Sequence, residues 1–227
     1  GLDINARLAA LGEWKTVYDD SVDELVYVTP SWGICAGVIS HRELFRGGWG
    51  MAGEIGNTIN FTGEGNPFLR NLEESCGGQM LIRRAQESWG AQDNFLLRKL
   101  TGDCADKVTV EDIVAAANSG DAFAVRLARE AAAVLALGLF NVVYIYNPKV
   151  VVIGGLLSEM GDIVLEPIKD ILRQRLPELI YRQLKVELTV LGSRASLVGA
   201  AEAAFHVIFT SPIGDPHGHN NMLCVGT

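Results

Sequence analysis

The chain has 227 residues, of which 48% are hydrophobic and 20% are charged, and its formal net charge is −8 at pH 7. This length suffices for one large domain or two small ones with a buried core, and the composition is that of ordinary globular proteins. The negative charge argues against a nucleic-acid-binding surface formed by these residues alone, because a polyanion would be repelled.

Hydropathy and cysteine usage indicate the compartment. The longest apolar stretches are too short to span a bilayer and no secretory signal pattern is visible, so we expect a cytoplasmic protein with no membrane contact. The cysteines form no C-x-x-C or C-x-C pair, which fits free thiols in a reducing compartment and offers no zinc spacing. They are Cys35, Cys76, Cys104 and Cys224.

The first part of the chain predicts one helical segment followed by short strands. Asp3–Trp14 carries an apolar helical face, and because no strand precedes it we expect upstream structure outside this chain. Runs of β-branched and aromatic residues then predict a meander, with a polar turn at His41-Arg42. The predicted strands are Glu24–Thr29, Ile34–Ser40, Glu43–Arg46 and Thr58–Phe61.

The remainder is helical and then alternates strand with helix, so the sequence predicts a mixed α/β fold. The first predicted helices are Leu72–Ala85, Asp93–Leu100, Val110–Asn118 with a Thr109/Asp112 cap, and Asp121–Tyr146, whose second half is apolar all round. The last elements are a buried strand Lys149–Ile153, a helix from Gly155 to about Leu176, a strand Leu184–Leu191 and a helix Ser196–Phe209. Residues 1–209 are expected to form one ligand-binding and dimerising region and residues 210–227 a flexible tail.

The glycine-dense loop Gly47–Asn57 is the most informative segment. Its glycines let the backbone approach a ligand closely, and Glu54 and Asn57 offer a carboxylate and an amide that suit the hydroxyls of a small polyol. A glycine-rich hairpin with an incidental carboxylate is the alternative. Glu73 is a further carboxylate at the head of a helix, where favourable interaction with the helix dipole would explain it without a ligand.

Other motifs are individually weak. Ser31–Gly37 links two strands and could cradle a phosphate, although Trp32 and Cys35 would crowd it, and a plain tight turn is the favoured interpretation. Gly154-Gly155 lies between a buried strand and a helix, where a nucleotide site or a purely structural turn would fit. His217 and His219 could bind a metal, but the tail offers no other ligand, which favours a flexible segment.

In order, these pieces resemble the ROK family of repressors, uncharacterised open reading frames and sugar kinases. The matching segments are Asn5–Glu13 (NARLAALGE), Ser31–Ile39, Leu44–Asn57 (LFRGGWGMAGEIGN), Leu72-Glu73, Asn147–Leu156 (NPKVVVIGGL) and Leu197–Ala201 (LVGAA). The resemblance implies an actin-like ATPase (ribonuclease H-like) fold, here mainly the C-terminal lobe with part of the N-terminal lobe missing. It also implies a sugar-binding set of Asn5, Glu54, Asn57 and Glu73.

Departures from the family pattern concern the kinase machinery. Family kinases carry a general-base Asp where this chain has Asn5 in the ungapped register, and an amide cannot usefully accept a proton. A two-residue insertion would instead make Asp3 the base. The phosphate-binding segment is degenerate at Ser31 and Gly33, with Gly154 and Gly155 as the remaining nucleotide-side residues.

The zinc site of kinase-like members is also absent from the pattern. Asn57 replaces its His, and Thr62–Leu72 contains no cysteine, so we expect no zinc and no other resident cofactor. ATP and Mg²⁺ would be required only if the chain is a kinase.

Two functions follow from the resemblance. The favoured one is the sugar-sensing, dimer- or oligomer-forming region of a ROK-type transcriptional regulator, which binds a small sugar without phosphorylating it. DNA would then be bound only through a helix-turn-helix domain not present in this chain. The alternatives are a divergent ATP-dependent sugar kinase with Asp3 as base, and a degenerate member with neither activity.

Overall fold

A computed structural model of the chain describes residues 2–59, 70–90 and 95–210. Its centre is a five-stranded sheet with strand order β3-β2-β1-β4-β5. The first three strands form an antiparallel meander, and β4 and β5 continue it in parallel. The strands are β1 (Leu25–Pro30), β2 (Ile34–Ser40), β3 (Glu43–Phe45), β4 (Val150–Ile153) and β5 (Lys185–Leu188).

Helices cover both faces of this sheet. Helix α1 (Leu2–Glu13) packs on β1, β2 and the last helix, α9 (Ala195–Thr210). On the opposite face, the sheet shares a hydrophobic cluster with α6 (Ala122–Tyr146), which also contacts several of the shorter helices. Those shorter helices are α2 (Leu72–Cys76), α3 (Gly78–Glu87), α4 (Phe95–Leu100), α5 (Val110–Asn118), α7 (Asp162–Arg175) and α8 (Glu178–Gln183).

Alternation along the central strands divides the core in two. Val26 and Val28 of β1 belong to the large cluster under α6, whereas Leu25 and Tyr27 belong to the smaller cluster under α1. Because successive side chains of a strand point to opposite faces, an unbroken apolar strand requires helices on both sides. The result is a three-layer arrangement of helices, sheet and helices.

Helix α6 has the length and apolar composition of a membrane span, and half of its most apolar window is buried inside the fold. Its inner residues pack against α2, α3, α5 and α7. Helix α6 therefore packs as a core helix of this fold.

The strand predictions are largely confirmed. The predicted turn at His41-Arg42 joins β2 to β3, and both residues have positive φ (54° and 66°), as a tight two-residue hairpin requires. Thr58–Phe61 lies partly outside the described residues; within them Ile59 makes an isolated bridge to Asn71. The last strand is shorter than the predicted Leu184–Leu191, ending at Leu188.

Two helix predictions were wrong in their continuity. The predicted helix Leu72–Ala85 breaks at Gly77, which is extended (ψ 172°), because Gly78 must fit against Ser31 and Val110. The predicted helix beginning at Gly155 is instead a 3₁₀ turn, Leu156–Met160, followed by α7, since Gly161 at φ +57° interrupts it. The short helix α8 was not predicted, and residues 211–227 of the predicted tail lie outside the described residues.

Helix α1 approaches its neighbours backbone to backbone. A Cβ at Gly199 of α9 would lie 1.7 Å from the Leu8 carbonyl oxygen, and one at Gly12 would lie 2.3 Å from the Ala195 oxygen. On the sheet side, a Cβ at Gly37 of β2 would lie 2.5 Å from the Ala6 oxygen. These glycines allow α1 to lie closer to α9 and β2 than any side chain would permit.

Glu13 fixes the end of α1. Its side chain is fully buried; Oε1 accepts a hydrogen bond from Val190 N at 2.6 Å, and Oε2 accepts from Thr189 Oγ1 at 2.8 Å and Leu191 N at 3.3 Å. Three donors on one carboxylate tie α1 to the segment between β5 and α9. A buried charge is tolerated only when it is hydrogen-bonded in this way.

Replacing Gly199 by alanine should destabilise the fold, although alanine is the better helix former by about 1 kcal/mol. The added methyl group would overlap the Leu8 carbonyl, and overpacking of this kind costs about 1–3 kcal/mol. Urea unfolding measures the change. Gly90→Ala is the control, because a Cβ at Gly90 meets nothing within 4 Å; equal stability of the two variants would contradict the close approach.

Glu13→Gln should lower the free energy of unfolding by about 1–3 kcal/mol, because an amide NH₂ cannot accept from the donors of residues 189–191 and leaves buried groups unsatisfied. Glu166→Gln, an exposed change on α7, should have little effect. Chemical denaturation of both variants provides the comparison. A loss at Glu13 no larger than that at Glu166 would show that the carboxylate is not needed.

Candidate functional site

The glycine-rich loop is joined to the sheet at Gly53. Ala36 N of β2 donates a hydrogen bond to the Gly53 oxygen at 2.7 Å. Gly53 has φ +97°, and a Cβ there would lie 1.9 Å from the Ala36 oxygen, so only glycine fits. Glu54, the next residue, is therefore held beside β2.

Glu54 and Asn57 meet across a single turn. Residues Ile55–Asn57 form a 3₁₀ turn, and Asn57 Nδ2 donates to Glu54 Oε2 at 3.2 Å. Glu54 is half-buried and Asn57 is exposed. The contact leaves a carboxylate oxygen and the amide oxygen as acceptors, together with the second amide hydrogen as a donor, which is a mixed set suited to hydroxyl groups.

Glu73 is not the cap of its helix. Asn71 and Glu74 form a capping box, with Glu74 N donating to Asn71 Oδ1 at 2.8 Å and Asn71 N donating to Glu74 Oε2 at 3.1 Å. Glu73 Oε2 instead accepts from Ile34 N, the first amide of β2, at 2.8 Å. Glu74, and not Glu73, therefore makes the capping contact of this helix.

The carboxylate of Glu73 lies over two glycines. A Cβ at Gly33 would be 2.6 Å from Glu73 Oε2, and one at Gly56 would be 3.2 Å from the same atom. Gly56 lies between Glu54 and Asn57 in sequence, so Glu73 approaches the turn that carries both. Three of the four predicted sugar contacts are thus brought to the start of β2, beside the predicted phosphate-segment residue Gly33.

Asn5 lies in an adjoining cavity of about 190 Å³. The cavity is bounded by the β1–β2 turn, the turn after β4 and the start of α9, and Asn5 itself is largely exposed. Its lining includes the polar residues Asn5, Tyr27, Thr29, Ser31, Ser193 and Ser196, together with Gly155. The structure therefore groups Asn5 with two of the residues predicted for the nucleotide side.

The Ser31 side chain contacts the turn after β4. Its Oγ accepts a hydrogen bond from Leu156 N at 3.0 Å. A Cβ at Gly155, which has φ +64°, would lie 2.5 Å from that hydroxyl. The N–H that a phosphate would seek at this position already has a protein partner.

Gly154 has a packing role. A Cβ at this position would lie 2.1 Å from the Tyr27 hydroxyl oxygen, so the tyrosine ring occupies the space where a side chain would be. Burial of the ring also raises the pKa of Tyr27 above its ordinary value. The Gly-Gly pair is thus accounted for by backbone conformation at Gly155 and by ring packing at Gly154.

Other predicted positions lie outside the described residues or side chains. They are the Asp3 side chain, residues 62–69 of the segment expected to lack zinc ligands, and the histidines His217 and His219. Among the described side chains, no group of three or more His, Cys, Asp or Glu residues is arranged to hold a metal ion.

Sequence reasoning missed Arg7 and Glu13. Arg7 Nη2 of α1 donates to the carbonyl oxygens of Gly50 and, at 3.2 Å, Ala52 in the glycine-rich loop. Both residues act on segments far along the chain, which periodicity cannot reveal. The only signal was two isolated charged residues, Arg7 and Glu13, in a mainly apolar helical stretch, a pattern that more often marks a solvated face.

The ROK family model matches residues 1–206. The xylose repressor of Caldicellulosiruptor bescii is 31% identical over 204 residues, which is 87% of this chain and 50% of the repressor. The chain thus spans about half the length of this curated relative.

Solved structures share the fold. A ROK-family glucokinase from Streptomyces griseus, in complex with glucose and AMPPNP, superposes with a TM-score of 0.74 at 29% identity, covering 88% of this chain and 66% of the enzyme. A ROK-family transcriptional regulator, a homologue of the E. coli MLC protein, gives 0.71 at 23% identity, covering 87% and 50%. The actin-like ATPase fold implied by the resemblance is therefore confirmed. The chain belongs to the ROK family.

Proposed function

We propose that this chain is the sugar-sensing region of a cytoplasmic ROK-family transcriptional regulator, which binds a small sugar and does not phosphorylate it. The observation that carries the proposal is the meeting of Glu54, Asn57 and Glu73 at the start of β2. Carboxylates and amides that keep spare acceptors and donors can satisfy several hydroxyls of one ring at once. Similarity to a xylose repressor supports the same function.

Two local features favour binding without turnover. Asn5 stands where family kinases carry the general base, and an amide cannot take the proton from a sugar hydroxyl near neutral pH. The Ser31 hydroxyl already accepts a hydrogen bond from Leu156 N. A nucleotide phosphate would therefore have to displace this internal hydrogen bond to reach the turn after β4. Both features argue against phosphoryl transfer, and neither involves Glu54, Asn57 or Glu73.

A regulator also needs a second subunit and a DNA-binding domain. We propose a homodimer or higher oligomer that uses apolar side chains left exposed at the end of α6 and along α9, namely Tyr144, Ile145, Leu197, Phe205 and Ile208. DNA would be bound only by a helix-turn-helix domain outside these residues. Sugar could shift such an assembly only through unequal affinity for its two arrangements.

The second candidate is a divergent sugar kinase using ATP and Mg²⁺. Similarity to a glucokinase solved with glucose and AMPPNP favours it. In that case Asp3 would be the general base, and Ser31 would have to release Leu156 when the nucleotide binds.

Glu54→Gln should weaken sugar binding about 10- to 100-fold, because hydrogen bonds to a charged group contribute about 1.5–3 kcal/mol. Calorimetric titration of the full chain with a panel of hexoses, pentoses and N-acetyl sugars first identifies the sugar that binds most tightly. The variant is then titrated with that sugar. Glu87→Gln, an exposed change on α3, is the control and should bind as the parent does.

Absence of saturable binding to any sugar in the panel would refute the sensing function. Equal affinity of the Glu54→Gln variant and the parent would refute the assignment of the site.

Adding ATP and Mg²⁺ to the sugar-saturated chain should produce no sugar-dependent ADP, because the base position holds Asn5. A coupled ADP assay measures this, with a sugar-free reaction as the blank. Steady ADP formation that requires sugar and disappears in Asp3→Asn would establish the kinase instead.

A further inference from the structure

We propose that Arg7 is a positioning residue, which fastens the glycine-rich loop (residues 46–53) to helix α1 in the shape that presents Glu54 to the ligand. The inference rests on the proposed sugar site and adds a residue that the family motifs did not single out.

The loop has few means of its own to stay ordered. Its internal backbone hydrogen bonds are Ala52 N to the Arg46 oxygen at 3.2 Å and a long one, Gly50 N to the Gly47 oxygen, at 3.4 Å. Trp49 at its tip is 95% exposed and Met51 is 61% exposed, so the loop buries little apolar surface. Glycine-rich backbone loses the most conformational entropy on ordering, and such a segment needs anchoring contacts from elsewhere.

Arg7 of helix α1 supplies such an anchoring contact. Its Nη2 donates to the carbonyl oxygens of Gly50 and Ala52, which flank Met51, from a position 43 to 45 residues earlier in the chain. Hydrogen bonds from a guanidinium are charge-assisted and stronger than those between neutral groups. The planar group bridges two carbonyls that nothing else in the described structure is seen to hold.

The anchor stands immediately before Glu54. Ala52 is held by Arg7, Gly53 by Ala36 of β2, and Glu54 follows. The backbone leading to Glu54 is therefore fixed between α1 on one side and the sheet on the other. Loss of the Arg7 contacts would leave the loop attached only at its end, through Gly53 and the buried Ile55, and the backbone that leads into Glu54 would become more mobile.

Helix α1 is a suitable base for such an anchor. Its backbone is in contact with α9 at Gly12 and Gly199, and Glu13 fixes its end. Asn5 is two residues from Arg7, so one rigid helix carries both the side chain in the cavity and the anchor of the loop. A ligand binding to a loop that is already ordered does not bear the ordering entropy, which is the basis of preorganisation.

Arg7→Met tests the proposal, since it keeps an unbranched side chain and removes the guanidinium. Arg182→Met is the matched control, because Arg182 is an exposed arginine whose partner is Glu178 in its own helix. Hydrogen exchange without sugar should show about tenfold faster exchange of residues 47–53 in Arg7→Met, with α6 unchanged. Titration with the sugar chosen from the panel should show about tenfold weaker binding, and Arg7→Lys should recover part of the loss.

Saturating sugar should restore most of the loop protection in Arg7→Met. Exchange of α6 separates this local effect from a general loss of stability, because a general loss would also speed exchange in α6. Unchanged loop exchange, or unchanged sugar affinity despite a loosened loop, would overturn the positioning role. If the parent binds no sugar, the sensing function fails, and the exchange measurement still decides whether Arg7 fastens the loop.

Discussion

Direct contact between the backbones of α1, α9 and β2 determines where the other parts of the molecule lie. Gly12, Gly37 and Gly199 remove the side chains that would separate these elements, and backbone carbonyl oxygens of the facing element fill the space. A helix held in this way cannot slide or rotate without collision, because a packed interior adapts poorly even to one extra methyl group. The position of helix α1 in turn fixes where Asn5, Arg7 and Glu13 lie.

Much of the architecture could be predicted from local sequence. The hairpin at His41-Arg42, the buried β4 and the long α6 all follow from short-range patterns, and each is present. The breaks at Gly77 and Gly161 could not be predicted in the same way. Gly77-Gly78 interrupts a helical pattern because Gly78 must fit beside Ser31, a residue 47 positions earlier.

The contacts of the candidate site also differ in whether they could be predicted from sequence. Glu54 and Asn57 are three residues apart, so their meeting on one turn could be anticipated from sequence. The partners of Glu73, Ser31 and Arg7 could not be, because each hydrogen bond spans between 39 and 125 residues. The contacts of Glu73 and Ser31 depend on how the turn between β1 and β2 comes to lie beside α2 and the end of β4, and those of Arg7 depend on how α1 comes to lie beside the glycine-rich loop. Hydrophobic periodicity carries no information on these arrangements.

The packing of α2 against Gly138 of α6 has an evolutionary consequence. Leu72 is completely buried, and its methyl groups fill the space where a side chain on Gly138 of α6 would lie, while the next residue, Glu73, reaches the first amide of β2. A larger residue at 138 would push against Leu72 and carry Glu73 with it. We therefore expect substitutions at position 138 of α6 to be accompanied by substitutions in α2. Selection on the polar contact of Glu73 at the surface would in this way also constrain a glycine in the core.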